Sequence, residues 1–142
     1  VETLANQGVP VCGHLGLLPQ SVHRLGGYRY QGRNEESANE IRRDARALQD
    51  AGAGLLVLEC VPAALALEVS GSLSIPVIGI GSGNGCNGQV LVLYDMLGLN
   101  PGKTPRFSKD FLAGRFSLVD AVTAYVQDVK SGTFPGSGQT PY

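Results

Sequence analysis

The chain has 142 residues, of which 43% are hydrophobic, so it is long enough and apolar enough to bury one core. Eleven basic and twelve acidic side chains give a formal net charge of -1, without the basic excess that binding to a phosphate backbone requires. The apolar runs are far shorter than the roughly 20 residues that cross a bilayer. Composition therefore excludes a disordered tail, and we expect neither nucleic acid nor membrane as a partner.

We expect no secretory leader, since residues 1–8 lack a basic segment followed by an apolar one. It also lacks an initiator Met, because the only Met is Met96. We therefore expect a chain that was processed, cut or copied from something longer, and a cytoplasmic location.

Three cysteines are spread widely along the chain, at Cys12, Cys60 and Cys86. Their odd number and spacing fit neither a disulfide framework nor a CxxC metal site. We expect buried or half-buried thiols in a reducing compartment.

The first third of the chain predicts a short strand followed by a long loop. Residues 2–7 are typical of a helix end, and residues 9–15 (VPVCGHL) form an apolar run that Gly16 closes. Residues 16–33 are rich in glycine and turn formers, so they predict a loop with at most a short helix. Loops of this length are usually functional or disordered. Four loop residues would cover one edge of a sheet or lie in a simple surface loop: Gly26, Gly27, Tyr28 and Gln31.

A helix is predicted over residues 34–51, and Gly52 is expected to terminate it. Its apolar residues recur at spacings of three and four: Ala38, Ile41, Ala45 and Leu48. This is the clearest helical pattern in the chain.

Two buried strands with a helix between them are predicted next. Residues 54–61 (GLLVLECV) and 75–80 (IPVIGI) are apolar on both faces, which is typical of strands in a parallel sheet. Residues 63–73 between them are rich in Ala and Leu and predict a helix. A glycine-rich turn follows over residues 81–88.

The last third of the chain is less clear. Residues 90–94 (VLVLY) predict either another strand or the first turns of an apolar helix, and periodicity does not separate the two. Residues 118–130 predict an amphipathic helix, and residues 131–142 a Gly/Pro/Ser tail. One side of that helix carries four valines: Val119, Val122, Val126 and Val129.

Alternating apolar strands and helices are typical of βαβ units with a parallel sheet. No change of composition divides residues 1–142, so we expect one domain. A closed (β/α)₈ barrel needs about 250 residues, and this chain has room for four βα units. The count predicts half a barrel, with two open sheet edges and an apolar inner face that another copy or a missing partner covers.

Glu59 closes the apolar strand LLVLE, where α/β barrels place catalytic groups. The alternative is a carboxylate turned to a neighbouring Arg or to solvent, and the pattern does not decide between them. Strand alternation places Cys60 on the opposite face, so we do not expect a Cys/Glu pair. His14 ends the first predicted strand in an equivalent position, so it should emerge at the same edge as Glu59. Alone, such a His is more often structural than a ligand.

Two further motifs favour structural roles. The segment GNGCNG formally matches GxGxxG, but it lacks a convincing following helix and a downstream acidic residue on a second strand. A glycine-rich loop where substrate approaches the backbone explains it equally well. Asp95 is interpreted as a helix-capping residue rather than a carboxylate at the sheet edge.

Four segments carry a resemblance to a known family: VPVCGHLGLLPQSVHRLGGYRYQGR, LLVLECVPAALA, IPVIGIGSGNGCNGQVLVLYDMLG and VKSGTFP. In this order they resemble the C-terminal half of the ketopantoate hydroxymethyltransferase family. The resemblance implies a (β/α)₈ TIM barrel of the phosphoenolpyruvate/pyruvate-binding type, with strands five to eight present. It also implies transfer of a hydroxymethyl group from 5,10-methylenetetrahydrofolate to 3-methyl-2-oxobutanoate in pantothenate biosynthesis, with Mg²⁺. A homo-oligomer is expected for a different reason, the uncovered edges and inner face of a half barrel.

The same resemblance implies roles for single residues. The Glu of VLECVP, here Glu59, is the proton acceptor, and the His of CGHLG, here His14, lies near the substrate together with Val92. No segment matches the family's magnesium-binding carboxylates or substrate-binding Lys, which belong to the other half. We therefore assign no metal ligand to this chain, and we expect it to be inactive without the N-terminal half.

The chain departs from the family at five positions. Ser82, Asn87 and Tyr94 stand where Ala, Asp and His are usual, and Gly138 and Gln139 stand where the tail usually has an acidic residue and His. We expect the first three at the edge after strand seven and at the start of strand eight, where they would change the fit of the folate or of a loop.

Two other functions remain open at this stage. One is a lyase or aldolase of the same barrel class that acts on another 2-oxo acid. The other is a half barrel that serves only as an assembly partner.

Overall fold

The computed structural model describes residues 1–23 and 26–140. Arg24 and Leu25 of the predicted loop, and Pro141 and Tyr142 of the predicted tail, lie outside the described residues.

The centre of the fold is a sheet of four parallel strands. The strands are β1 (Cys12–Gly16), β2 (Leu55–Glu59), β3 (Val77–Ile80) and β4 (Gly88–Gln89). Their order in the sheet is β1-β2-β3-β4, which follows their order in the chain. A parallel sheet in which each strand lies beside the next is the arrangement of a βα barrel, so the predicted α/β class is confirmed.

Helices precede, connect and follow these strands. They are α1 (Glu2–Asn6), α2 (Glu35–Asp50), α3 (Ala63–Ser72), α4 (Leu93–Met96) and α5 (Leu118–Lys130), with 3₁₀ turns at Pro19–Ser21 and Ser137–Gln139. Among the described residues, no helix has both the length and the hydropathy needed to span a bilayer.

Helix α2 confirms the prediction for residues 34–51. The Asn34 side chain accepts a hydrogen bond from the Ser37 backbone N at 2.8 Å, which caps the amino end. At the other end the backbone reaches Gly52 with φ of 91°, a conformation that favours glycine. The buried face carries Ala38, Ile41 and Ala45.

The main core lies between the sheet and the helices. Strand β2 alternates, so that Leu56 and Leu58 are fully buried on the helix side while Leu55, Val57 and Glu59 are half-buried on the other side. The prediction of a strand buried on both faces is therefore correct for one face only. The second face would point into the interior of a complete barrel.

A second cluster joins the C-terminal segment to the last strand. Phe111, Tyr125 and Phe134 pack edge to face, with ring centroids 5.4 to 5.9 Å apart. The Tyr125 hydroxyl donates to the Gln89 carbonyl oxygen at 2.8 Å. This contact fixes α5 against β4.

Residues 90–94 follow neither of the two predictions completely. Strand β4 lies before this run, and the Val90 backbone N makes the last bond to β3, donating to the Gly79 carbonyl oxygen at 3.0 Å. Helix α4 begins only at Leu93. The run is apolar because it crosses from strand to helix beside the second cluster, which partly buries Leu91.

The prediction of which residues form the packed side of α5 is wrong in part. Val119, Val122 and Val126 are exposed, and Val119 retains 74% of its accessible surface. The face that packs on the second cluster carries Ala121, with Tyr125 and Val129 at its border. Three valines at helical spacing thus remain uncovered in this chain.

Leu58→Ala is predicted to lower the free energy of unfolding by about 2–5 kcal/mol, because the lost methyl groups leave a cavity between sheet and helices. Leu58 has 0% of its surface exposed. The matched control is Leu67→Ala on α3, where the side chain is 59% exposed and the expected loss is under about 0.5 kcal/mol. Urea unfolding followed by circular dichroism measures both, and equal losses would contradict this description of the core.

The three thiols are predicted to differ in reactivity. Burial raises the pKa of Cys60 to about 12, with a smaller contribution from the Glu59 charge, and raises the pKa of Cys86 to about 11. Cys12 is exposed. At pH 8 a thiol reagent should modify Cys12 alone in the folded chain, because only about 10⁻⁴ of Cys60 is thiolate. Cys12→Ser should abolish the rapid reaction, whereas rapid labelling of Cys60 would contradict its burial.

Candidate functional site

A histidine and a glutamate meet at the carboxyl end of the sheet. The Nε2 atom of His14 lies 3.0 Å from Oε2 of Glu59. The side chains keep 35% and 14% of their accessible surface. The prediction that both emerge at one edge is consistent with this geometry, and Glu59 turns to neither Arg nor open solvent.

Strand register explains why the two side chains meet. Residue His14 of β1 is aligned with Val57 of β2, and Gly16 is aligned with Glu59. Aligned residues of parallel strands face the same side of the sheet, so His14, Val57 and Glu59 all project from one face. This is the face opposite the helices, called the inner face below. The His ring reaches one pleat along the strands to the carboxylate.

The backbone around Glu59 is held from two neighbouring segments. Its carbonyl oxygen accepts a hydrogen bond from the Leu17 backbone N at 2.8 Å. Gly16 makes this close approach possible, because its φ is 91° and a Cβ there would collide with the Glu59 carbonyl oxygen. Cys60, next along the chain, donates from its backbone N to the Ile80 oxygen at 2.9 Å.

Strand alternation ends at Cys60, which the sequence placed on the opposite face of a continuing strand. Its φ of 50° lies in the left-handed region, so β2 stops at Glu59 and the chain turns. The Cys60 carbonyl oxygen accepts from the Gln31 backbone N at 2.9 Å, which brings the long loop back to this edge. Tyr28 of the same loop is 80% exposed.

Ser82 is a contributor that the sequence did not reveal. Its hydroxyl is fully buried, donates to the Leu58 oxygen at 2.9 Å and accepts from the Val61 backbone N at 3.2 Å. It therefore bridges the turn after Glu59 and the end of β3. The only sequence signal for this role was the departure from the usual Ala.

Two opposing effects act on the Glu59 carboxyl group. Partial burial raises its pKa above the ordinary value, and the neighbouring His14 works in the opposite direction. A carboxylate with a raised pKa is a better proton acceptor than one in water. The pair is therefore suited to removing a proton from a weak carbon acid.

The glycine-rich turn packs against the protein and does not lead into a helix. Gly81 and Gly83 both have positive φ, and a Cβ at Gly83 would lie 2.6 Å from the Ala63 side chain. The turn ends in β4, so the residues after it form a strand. This is not the strand-turn-helix arrangement that the dinucleotide motif requires.

Val92 lies beyond the carboxyl end of β4, where it is the N-cap of α4 and is 53% exposed. Strand β3 separates β4 from β2, so two strand spacings of about 5 Å each lie between Val92 and the strand of Glu59. The structure thus places Val92 at the same edge without joining it to the pair. Asp95 lies within α4, whose N-cap is Val92, so the prediction that it caps a helix is wrong. It is buried and accepts from the Asn100 side chain at 2.8 Å, which is a structural contact.

Three departures from the family pattern lie apart from the pair. Asn87 accepts from the Val77 backbone N at 2.8 Å and from the Ser70 hydroxyl at 3.2 Å. Val77 begins β3, so Asn87 lies at the amino end of the sheet, away from Glu59. Tyr94 is an exposed residue of α4, and Gln139 bonds back to the Gly136 backbone N within the tail.

Within residues 1–23 and 26–140, no group of three His, Cys, Asp or Glu side chains is arranged to hold a metal ion. The Glu59 carboxylate is already bonded to His14, and Asp95 to Asn100. These carboxylates lack the further oxygen ligands that Mg²⁺ prefers, so the described residues do not fit a magnesium site by themselves.

Comparison with known proteins gives matches along nearly the whole chain. Residues 1–137 match the family model of ketopantoate hydroxymethyltransferase. A 3-methyl-2-oxobutanoate hydroxymethyltransferase of Nitrosococcus oceani is 59% identical over 135 residues, which cover 95% of this chain and 51% of that protein. A protein of the same name from Paraburkholderia phymatum is 58% identical, and the match covers 99% of this chain and 52% of that protein. Another from Burkholderia mallei is also 58% identical, and the match covers 96% of this chain and 50% of that protein. This chain spans about half the length of the curated relatives it matches. It belongs to the ketopantoate hydroxymethyltransferase family.

Proposed function

We propose that this chain is the C-terminal half of a (β/α)₈ barrel that supplies strands five to eight. In the complete barrel it transfers a hydroxymethyl group from 5,10-methylenetetrahydrofolate to 3-methyl-2-oxobutanoate, giving 2-dehydropantoate. The observation that carries this proposal is the Glu59 carboxylate, bonded to His14 on the inner face at the carboxyl end of the sheet. Barrel enzymes place their catalytic groups at this end.

In this proposal Glu59 is the base. The carbon next to the ketone of the oxo acid loses its proton to the Glu59 carboxylate and becomes an enolate. The enolate carbon attacks the methylene carbon of the folate as one of its two carbon–nitrogen bonds breaks, and the freed nitrogen takes the proton from Glu59. Water then cleaves the second carbon–nitrogen bond, giving its hydroxyl group to the product and its proton to the nitrogen, and tetrahydrofolate leaves. Partial burial of Glu59 supports the assignment because it raises the pKa of the carboxyl group. His14 lies beside this base, and Val92 offers an apolar side chain at the same edge for the oxo acid.

The N-terminal half of the barrel is proposed to cover the inner face. Leu55 and Val57 are only half-buried there. Among the described strands, β1 lies at the edge of the sheet. The Leu17 backbone N and the Val11 carbonyl oxygen both bond toward the β2 segment. Successive residues of a parallel strand direct their backbone N–H and C=O groups to opposite sides, so those of His14 point to the open edge. A further parallel strand would satisfy these groups and exclude water from the base.

The assembly, the cellular location and the metal ion are proposed from other observations. The exposed valines of α5 favour a homo-oligomer or contact with the missing half, since soluble proteins rarely leave such stripes uncovered. The three free thiols agree with the reducing cytoplasm. The Mg²⁺ ion implied for this family would be held by residues outside this chain.

The base assignment predicts the effect of Glu59→Gln in a complete barrel, made by joining this chain behind the N-terminal half of the Nitrosococcus oceani relative. Exchange of the C3 hydrogen of 3-methyl-2-oxobutanoate with deuterated solvent should slow by about 10²- to 10⁴-fold, the usual contribution of a general base. Proton NMR of the substrate measures the rate.

The matched control is Glu68→Gln on α3, where the carboxylate is exposed and bonded to Arg42. It should leave the exchange rate unchanged. If Glu59→Gln exchanged hydrogen as fast as this control, Glu59 would not be the base. Comparing the folate with formaldehyde as the one-carbon donor then separates the transferase from an aldolase.

A further inference from the structure

We infer that His14 is a positioning residue, which acts through Glu59 by donating from Nε2–H to Oε2 of the carboxylate and leaving Oε1 to face the substrate. This inference rests on the proposed role of Glu59 as the base. It assigns to His14 a function other than direct binding of the oxo acid.

The hydrogen bond to an ionised Glu59 determines the tautomer of the His14 ring. An ionised carboxylate only accepts hydrogen bonds, so at a separation of 3.0 Å the Nε2 atom must carry the proton. In a neutral ring Nδ1 is then an acceptor. A neutral His14 therefore has no N–H left to donate to the carbonyl oxygen of an oxo acid.

The backbone holds His14 and Glu59 in the positions that allow this contact. His14 lies in the middle of β1, and the aligned strands bring its ring one pleat from Glu59. The carbonyl oxygen of Glu59 is tied to Leu17 of the same segment at 2.8 Å. The two residues are thus joined through both main chain and side chain, and the ring limits the rotation of the carboxylate.

The surroundings contain few competing groups among the described residues. Cys12 projects from the same face of β1, and Cys60 follows Glu59. Asp44 of α2 lines a shallow cavity with His14 at the open edge of β1, and its carboxylate is paired with Arg43 at 3.4 Å. Burial raises the pKa of Cys60, so this thiol is uncharged near neutral pH. Glu59 is the acceptor that the ring reaches.

The first test uses the 142-residue chain itself and needs no activity. Long-range proton–nitrogen NMR spectra distinguish the two neutral tautomers of a histidine ring. His14 should carry its proton on Nε2. In His14→Ala, which removes the donor, the Glu59 carboxyl group should titrate at higher pH than in the unaltered chain, because His14 lowers its pKa.

The control for this test is His23→Ala, since His23 lines a different cavity from His14, beside Tyr28. It should leave the Glu59 titration unchanged. Amide NMR spectra establish that each variant is folded. A proton on Nδ1 of His14, or an unchanged Glu59 titration in His14→Ala, would overturn the inference whatever the enzyme's activity is.

The second test uses the joined complete barrel and separates positioning from binding. His14→Ala should slow C3 hydrogen exchange by about 100-fold, the cost of a misplaced catalytic group, with the KM for the oxo acid changed less than about twofold. His14→Gln retains an N–H donor and should recover part of the rate. A raised KM with unchanged kcat would instead make His14 a binding residue.

The two proposals fail in different ways. If Glu59→Gln left hydrogen exchange unaffected, the proposed function would fail, even with the tautomer and the titration of Glu59 as expected. If Glu59→Gln slowed exchange but His14→Ala did not, Glu59 would remain the base and His14 would not position it.

Discussion

The parallel register between β1 and β2 is the constraint on which the candidate site depends. It aligns Gly16 with Glu59 and places His14 on the same face, one pleat earlier. A shift by one residue would turn one member of the pair toward the helices. The glycine at position 16 protects this register, because any side chain there would collide with the backbone of Glu59.

The two faces of the sheet differ in how far their side chains are buried. The face toward α2 and α3 is a finished core, with Leu56, Leu58 and Val77 fully buried. The inner face carries the polar pair among half-buried apolar side chains, and one edge of the sheet is open. A general base is most effective where water is excluded, and this chain by itself excludes water only partly. If Glu59 is the base, as proposed, the chain contains it without the enclosure that a base requires.

Much of this fold could be predicted from the sequence, because helix and strand periods are local properties. The capped helix after Asn34 and the strand ending at Glu59 follow from such patterns. The residues that could not be predicted depend on long-range contacts. The left-handed turn at Cys60, the buried Ser82 hydroxyl and the short β4 all arise from packing between segments distant in the chain. The valines of α5 were misjudged for a related reason, since an apolar stripe does not say which partner covers it.

Reconstitution tests the central claim most directly: that this chain holds the base of a barrel whose other half lies elsewhere. The chain is mixed with the separately produced N-terminal half of the Nitrosococcus oceani relative, and formation of 2-dehydropantoate from the oxo acid and methylenetetrahydrofolate is measured. We predict turnover in the mixture and negligible turnover with either half alone. Turnover by this chain alone, or a stable complex of the two halves without turnover, would contradict the account.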